Sequence, residues 1–233
     1  GLPDMRYEEL GCEDARITYV EEDDCYYICY VAYSGLGPAA GIARTEDFSE
    51  AERIGLTFGP SNKDTVLFPR KIGEHYMVLH RPAVGNQEHI WSAQSPDLIH
   101  WGMPHCVMFE RGGPWWDGLK TGSGAPPILT DQGWLLIYHG VKEFGNMMVY
   151  RAGAALLDRD QPHKTIARSP GWVLSPEAEY ETRGLMPNVV FPCGALVRGD
   201  ELWVYYGAAD TCVCLATAKI SDLLECVQEG CVR

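Results

Sequence analysis

One layout is written four times along the chain, and no other property limits the possible folds as strongly. Each copy pairs two short β-rich runs across a tight polar turn and adds a third run rich in small residues. The first copy has runs at 15–19, 26–33 and 39–43, with an acidic turn at 21–24. The second has runs at 67–72, 76–81 and 90–93, with the turn Gly73-Glu74. The third has runs at 125–129, 134–140 and 151–155, with the turn Asp131-Gln132-Gly133. The fourth has runs at 191–196, 202–207 and 213–218, with the turn Gly199-Asp200. Copies begin near residues 15, 67, 126 and 191, at spacings of 52, 59 and 65 residues, the length of a propeller blade with its loops. Longer links such as Ser95-Pro96-Asp97-Leu98 join the copies. The sequence therefore predicts an all-β fold, a β-propeller with about four recognisable blade units, in one domain over residues 1–233. A β-sandwich is the other all-β architecture to weigh, but sandwiches do not normally repeat units this alike.

Composition narrows the partners. A net charge of −13 argues against nucleic acid, and no apolar run approaches the length needed to cross a bilayer. No signal peptide opens the sequence. Of nine cysteines, Cys25 and Cys29, and Cys212 and Cys214, fall inside strand-like runs, where they read as small buried hydrophobes in a reducing compartment. The expected location is the cytoplasm. Zinc-type C-x2-C spacing is absent, so no metal site is expected. The chain also lacks a G-x-S-x-G elbow, a Walker loop and an H-E-x-x-H helix, which argues against hydrolase triads, phosphate-loop enzymes and zinc proteases.

The candidate chemistry gathers at the ends of the repeats. Glu8-Glu9-Leu10-Gly11-Cys12-Glu13-Asp14-Ala15-Arg16 packs several carboxylates and arginine ahead of the first copy. Adjacent acids can split roles, because neighbouring charge and burial separate their pKa values; the same residues also read as an acidic surface turn in which Arg16 pairs locally. Lys63-Asp64 precede the second copy, Arg81 ends its second run, Lys120 precedes the third copy, His139 ends its second run, and Tyr150 precedes its third. Individually these have plain readings: an exposed loop pair, strand-end caps, a solvated lysine, a core aromatic. Together Lys63, Arg81, Lys120, His139 and Tyr150 make a cationic set suited to a phosphate dianion, arginine through paired donors and lysine as a point charge. Asp14 would face that set as a proton donor. Asp64, Glu181 and Asp210 are candidates for sugar hydroxyls, with Trp115, Trp116 and Tyr138 as aromatic walls; Asp210 reads equally as an Asx-turn residue.

At these residues the chain resembles glycoside hydrolase family 130, the β-mannoside phosphorylases. The resemblance is carried by residues 11–18, by Lys63-Asp64 with Leu67-Phe68-Pro69, and by His80-Arg81-Pro82. It continues in residues 120–127, Tyr138-His139-Gly140, Tyr150-Arg151-Ala152-Gly153, residues 187–192 and residues 205–210. It implies a five-bladed propeller and inverting phosphorolysis of a β-mannosidic bond, expected to be β-1,4, giving α-mannose 1-phosphate. The general acid of the family maps onto Asp14, with the proton passing through a hydroxyl of the mannosyl ring. Phosphate, the co-substrate, is held by residues matching Lys63, Arg81, Lys120, His139 and Tyr150, and no cofactor is implied. A β-mannoside hydrolase or a non-catalytic sugar-binding propeller are the alternatives on this scaffold, and assembly into a homo-oligomer is compatible with it. Ala15 replaces the proline that usually follows the acid. The resemblance also leads one to expect a further blade ahead of the first motif, without counterpart in these 233 residues.

Overall fold

The computed structural model describes residues 5–83 and 88–230. The chain divides into two compact units, Gly1–Val107 and Met108–Arg233. In the first, β1 (Gly11–Val20), β2 (Cys25–Ser34), β3 (Gly37–Thr45) and β4 (Glu52–Phe58) form one sheet in chain order. A second sheet follows, also in chain order, from β5 (Asn62–Leu67), β6 (Tyr76–Pro82), β7 (Ile90–Ser95) and β8 (Gly102–Met108). In the second unit, β9 (Lys120–Ser123) and β10 (Ile128–Thr130) both pair with β11 (Gly133–Phe144), which continues to β12 (Met147–Leu157) and β13 (Thr165–Arg168). The short helix α1 (Glu179–Thr182) precedes a three-stranded sheet of β14 (Val190–Arg198), β15 (Glu201–Ala208) and β16 (Cys212–Lys219), and α2 (Ile220–Glu225) follows it. The fold is all-β, and its four sheets are the four blades that the repeats predict.

The predicted turns lie where the strands reverse, and the period-2 pattern settles which faces are buried. On β15, Leu202, Val204, Tyr206 and Ala208 alternate inward. On β1, Arg16, Thr18 and Val20 point inward while Ile17 and Tyr19 stay exposed. Val20, Cys29, Ile42, Leu67 and Val78 share one core in the first unit; Leu135, Ile137, Ala154, Leu202 and Leu224 share another in the second.

Three expectations need correction. The links between copies are not only loops, because they hold the fourth strands β4, β8 and β13. The second copy begins at Asn62 rather than at Leu67, so Lys63-Asp64 belong to its first strand. In the third copy Pro126-Pro127 lack the N–H groups of a ladder, so the first strand is split into β9 and β10. The cysteine reading holds for Cys25 and Cys29, which are buried, but not for Cys212, which is exposed, or Cys214, which is half-buried; seven described cysteines are free thiols, whereas Cys226 is disulfide-bonded.

A buried polar cluster locks the third blade. Asp117, fully buried, takes Arg111 through two bonds of 2.8 and 2.9 Å, Arg168 at 2.6 Å and the Tyr138 hydroxyl at 2.8 Å. Trp116 lies across Gly140 and Gly153; a Cβ at Gly153 would come within 2.7 Å of its ring. Gly153→Ala should therefore destabilise the protein by about 1–3 kcal/mol in urea unfolding, and an unchanged midpoint would show that the indole moves freely.

His80, on β6, stacks on Phe58 with centroids 3.9 Å apart and its Nδ1 meets the Asn62 side-chain amide at 3.0 Å. Its Nε2 is buried without a hydrogen-bond partner among the described residues, and burial pushes the imidazole pKa down to about 4. The unfolded chain takes up this proton near pH ~6.5, well before the folded one does. The contribution of neutral His80 is thus complete above about pH 6.5 and is lost as pH falls toward about 4, by about 3 kcal/mol in all. Urea unfolding across that window should show a shallower pH slope for His80→Gln than for the wild type; equal slopes would refute the assignment.

Candidate functional site

Asp14 sits in a bulge of β1. Register shifts between Glu13 and Arg16 against β2, and Asp14 itself has φ 54°, a left-handed conformation that aspartate tolerates better than most residues. The bulge half-buries the carboxyl and sets Arg16 back into the inward pattern of the strand. Burial pushes the Asp14 pKa up; the Arg16 and Lys63 charges pull it down, and the Asp64 and Glu13 carboxylates push it up. A carboxyl in this position keeps its proton to higher pH than an ordinary aspartate.

Asp64 repeats the device one blade later. Its φ is 55°, and register shifts between Lys63 and Val66 against β6. Unlike Asp14 it is fully buried, with Arg16 Nη2 donating to Oδ1 at 3.3 Å and Arg81 Nη1 at 2.8 Å from Oδ2. Arg81 also pairs through Nε with Glu88 at 3.0 Å, and Arg16 Nη1 donates to the Asp14 carbonyl at 3.1 Å. Lys63 is half-buried and lies directly across from Arg81 in the β5–β6 register. Two arginines are thus matched by two buried carboxylates, so this cluster is less cationic than the sequence suggests. Asp64 is engaged by guanidinium groups rather than turned outward to receive a sugar hydroxyl.

In the second unit, Lys120 and Tyr150 both lie opposite Val141, on β9 and β12, and His139 is two residues along β11. Residues facing one another across an antiparallel ladder share a face, as do residues two apart, so Lys120, His139 and Tyr150 lie on one face of this blade. His139 is fully buried, with its ring centroid 4.5 Å from Phe191 and 6.1 Å from Tyr150. The Tyr150 amide is tied to the Asn188 carbonyl at 2.9 Å, which fixes the strand carrying it.

Glu181 and Asp210 lie elsewhere in this unit and differ from each other. Glu181 is buried: Oε1 accepts from the Tyr206 hydroxyl at 2.6 Å and Oε2 from the amides of Glu177 and Ala178, each at 2.8 Å. Burial raises its pKa, but these three hydrogen bonds outweigh that and lower it overall. Its oxygens serve the start of α1 and β15, a positioning place rather than an open sugar contact. Asp210 is exposed in the β15–β16 turn, where Ala209 and Asp210 have φ of 45° and 50° and the Thr211 amide donates to Ala208. The turn is closed by backbone groups with two left-handed residues.

Of the three aromatic walls expected, Trp116 and Tyr138 are buried and only Trp115 is exposed. Sequence reasoning missed Glu88, Asp117, Arg111 and Arg168; an aspartate directly after two tryptophans was the available signal for Asp117. A cavity of about 1130 Å³ lined by residues such as Asp23, Glu46, Asp47 and Glu52 holds none of the candidate residues, and its acidic lining is unsuited to an anion. Among the described residues no cluster of His, Cys, Asp or Glu is arranged to hold a metal, and no helix is long and apolar enough to cross a membrane.

The sequence pattern of the β-1,4-mannooligosaccharide phosphorylases, glycoside hydrolase family 130, matches residues 1–229. A β-1,2-mannobiose phosphorylase of Listeria innocua is 41% identical over 225 residues, covering 95% of this chain and 61% of the relative. A β-1,4-mannooligosaccharide phosphorylase of Ruminococcus albus is 38% identical over 222 residues, covering 92% of this chain and 64% of the relative. The solved structure of a β-1,2-mannobiose phosphorylase from Listeria innocua in complex with β-1,2-mannobiose superposes with a TM-score of 0.89 at 40% identity, over 96% of this chain and 62% of that one. The chain thus spans less than two thirds of the length of these relatives. Matched along nearly its whole length by sequence and by fold, it belongs to glycoside hydrolase family 130.

Proposed function

We propose that residues 1–233 act as one catalytic domain that cleaves β-mannosides by inverting phosphorolysis, with inorganic phosphate as co-substrate and α-mannose 1-phosphate as product. The observation that carries this reading is Asp14: a half-buried carboxyl held in a strained bulge, where burial pushes its pKa above that of an ordinary aspartate. In the proposed reaction Asp14 supplies the proton that ends on the leaving sugar oxygen, relayed by a hydroxyl of the mannosyl ring. A phosphate oxygen attacks the anomeric carbon from the opposite face. The bond to the leaving sugar breaks as the bond to phosphate forms, which inverts the configuration. Phosphate is itself the nucleophile, so no second carboxylate has to activate water. Lys63, Arg81, Lys120, His139 and Tyr150 are assigned to the phosphate. Arg81 is assigned with its charge already shared with Asp64 and Glu88. Asp64 and Glu181 are assigned to positioning, and Asp210 to a sugar hydroxyl.

The linkage divides the support. The family description and the Ruminococcus albus relative are named for β-1,4 linkages, which agrees with the β-1,4 expectation, while the Listeria innocua relative is named for β-1,2. A cytoplasmic setting is part of the same proposal; the seven free thiols agree with it and the Cys226 disulfide counts against it.

Incubation with β-1,4- and β-1,2-mannobiose, with and without phosphate, should give mannose 1-phosphate only when phosphate is present. Free mannose released without phosphate would establish hydrolysis, and saturable binding without product would establish a non-catalytic sugar-binding propeller. Asp14→Asn should lower turnover about a thousandfold with an unchanged unfolding midpoint; wild-type turnover would exclude Asp14 as the acid. Asp64→Ala strips the carboxylate from two buried guanidinium groups and should cost about 3–5 kcal/mol of stability, whereas exposed Asp210→Ala should cost less than about 0.5 kcal/mol. Equal unfolding midpoints for the two variants would refute the buried network.

A further inference from the structure

Tyr150 and Arg151 are consecutive on β12, so they face opposite sides of the sheet. Tyr150 joins His139 and Phe191. On the other side, the Arg151 guanidinium lies 4.4 Å from the Trp172 ring centroid and 5.8 Å from that of Phe144. There a cleft of about 400 Å³ is lined by Trp115, Trp116, Phe144, Arg151, Pro170 and Trp172, among others. Three of its aromatic rings are open to solvent: Trp115 is 43% exposed, Phe144 50% and Trp172 37%. Scattered exposed aromatics call for no explanation, but three around one concavity do.

The cleft is built firmly. Trp116 is buried, and its indole N–H donates to the Pro170 carbonyl at 3.1 Å. Arg111 stacks over Trp115 at 4.2 Å and is itself fixed by Asp117. Arg151 donates through Nε to Ser175 Oγ at 3.1 Å, and its two terminal nitrogens have no hydrogen-bond partner among the described residues. The site therefore offers flat apolar faces beside a half-buried fork of charged donors. A purely apolar ligand would leave that fork unsatisfied, and an inorganic anion would have no use for the rings. A pyranose ring uses both, with its C–H face on an indole and its hydroxyl oxygens accepting from the guanidinium. The volume lies at the small end of the range for small-molecule sites.

We propose that this cleft is a second carbohydrate subsite. It takes a neutral pyranose oligosaccharide, with Trp172 and Trp115 as stacking faces and Arg151 as hydroxyl donor, on the side of the blade opposite His139 and Tyr150. It rests on these residues alone and stands whether or not the chain turns mannosides over.

The test is a phosphate-free titration of the full chain with β-1,4-mannotetraose and with cellotetraose, followed by the tryptophan indole N–H signals in NMR. The Trp172 signal is identified by its loss in Trp172→Ala. The expected result is a saturable shift of the Trp115 and Trp172 signals with at least one sugar, and a Trp115 response weakened about tenfold in Trp172→Ala. Phosphate-dependent turnover of mannobiose should be unchanged in that variant. No shift with either sugar at about 10 mM, or an undiminished Trp115 response in Trp172→Ala, would overturn the subsite. So would sedimentation showing that Trp172→Ala dissociates an oligomer while leaving the sugar response intact, since the cleft would then be an interface between copies. Indole shifts without any turnover would leave the subsite standing and refute only the phosphorylase reading.

Discussion

The position of the candidate acid depends on one buried carboxylate. Asp64 holds Arg16 from the first blade and Arg81 from its own, and the same Arg16 reaches the Asp14 carbonyl. Desolvating one of these charges alone would cost several kcal/mol, so each partner needs the others in place. The network therefore joins strands of two sheets and, through Arg16, anchors the backbone of the bulge that presents Asp14. Thr18 adds a neutral tie between the same strands by donating to the Leu67 carbonyl at 3.1 Å.

Asp14 and Asp64 are one structural device with two outcomes. Both have φ near 55°, both sit at a register shift in the first strand of a blade, and both follow a charged residue. What differs is burial. Asp64 is closed off by two guanidinium groups, whereas Asp14 keeps a half-exposed carboxyl and its backbone carbonyl accepts from Arg16. The same strained conformation thus serves cohesion at Asp64 in the second blade and presents the candidate acid Asp14 in the first.

Much of this architecture was legible because it is local. Turn residues such as Gly73, Gly133 and Gly199, the apolar runs of β2 and β11 and the alternation along β15 are short-range signals, and they located the hairpins of all four blades. The fourth strands were not legible: β4 (Glu52–Phe58) and β8 (Gly102–Met108) are mostly exposed or half-buried and carry little alternation. The basic residues were legible as residues but not as charges. Glu88 reaches Arg81, and Asp117 meets Arg168 from 51 positions away, only after the strands assemble, and no spacing rule marks such pairs. The partners of Glu181 were hidden for a related reason. Its helix start and the hydroxyl of Tyr206 claim its oxygens, and Tyr206 is brought there by β15.

The same network bears on the chemistry as well as the stability. For Asp14 the nearest charges work against each other: Arg16 favours the carboxylate while Asp64 opposes it. Asp64 is itself tied to Arg16, and burial is the largest influence on the Asp14 carboxyl. An acid tuned by burial holds its proton only while its surroundings stay dry, so the bulge that half-covers Asp14 matters as much as the identity of the residue. Ala15, which follows it where relatives of this family usually carry proline, gives up a fixed φ next to that bulge. Arg16 donates to the Asp14 carbonyl, so a buried guanidinium ties down the backbone of that bulge.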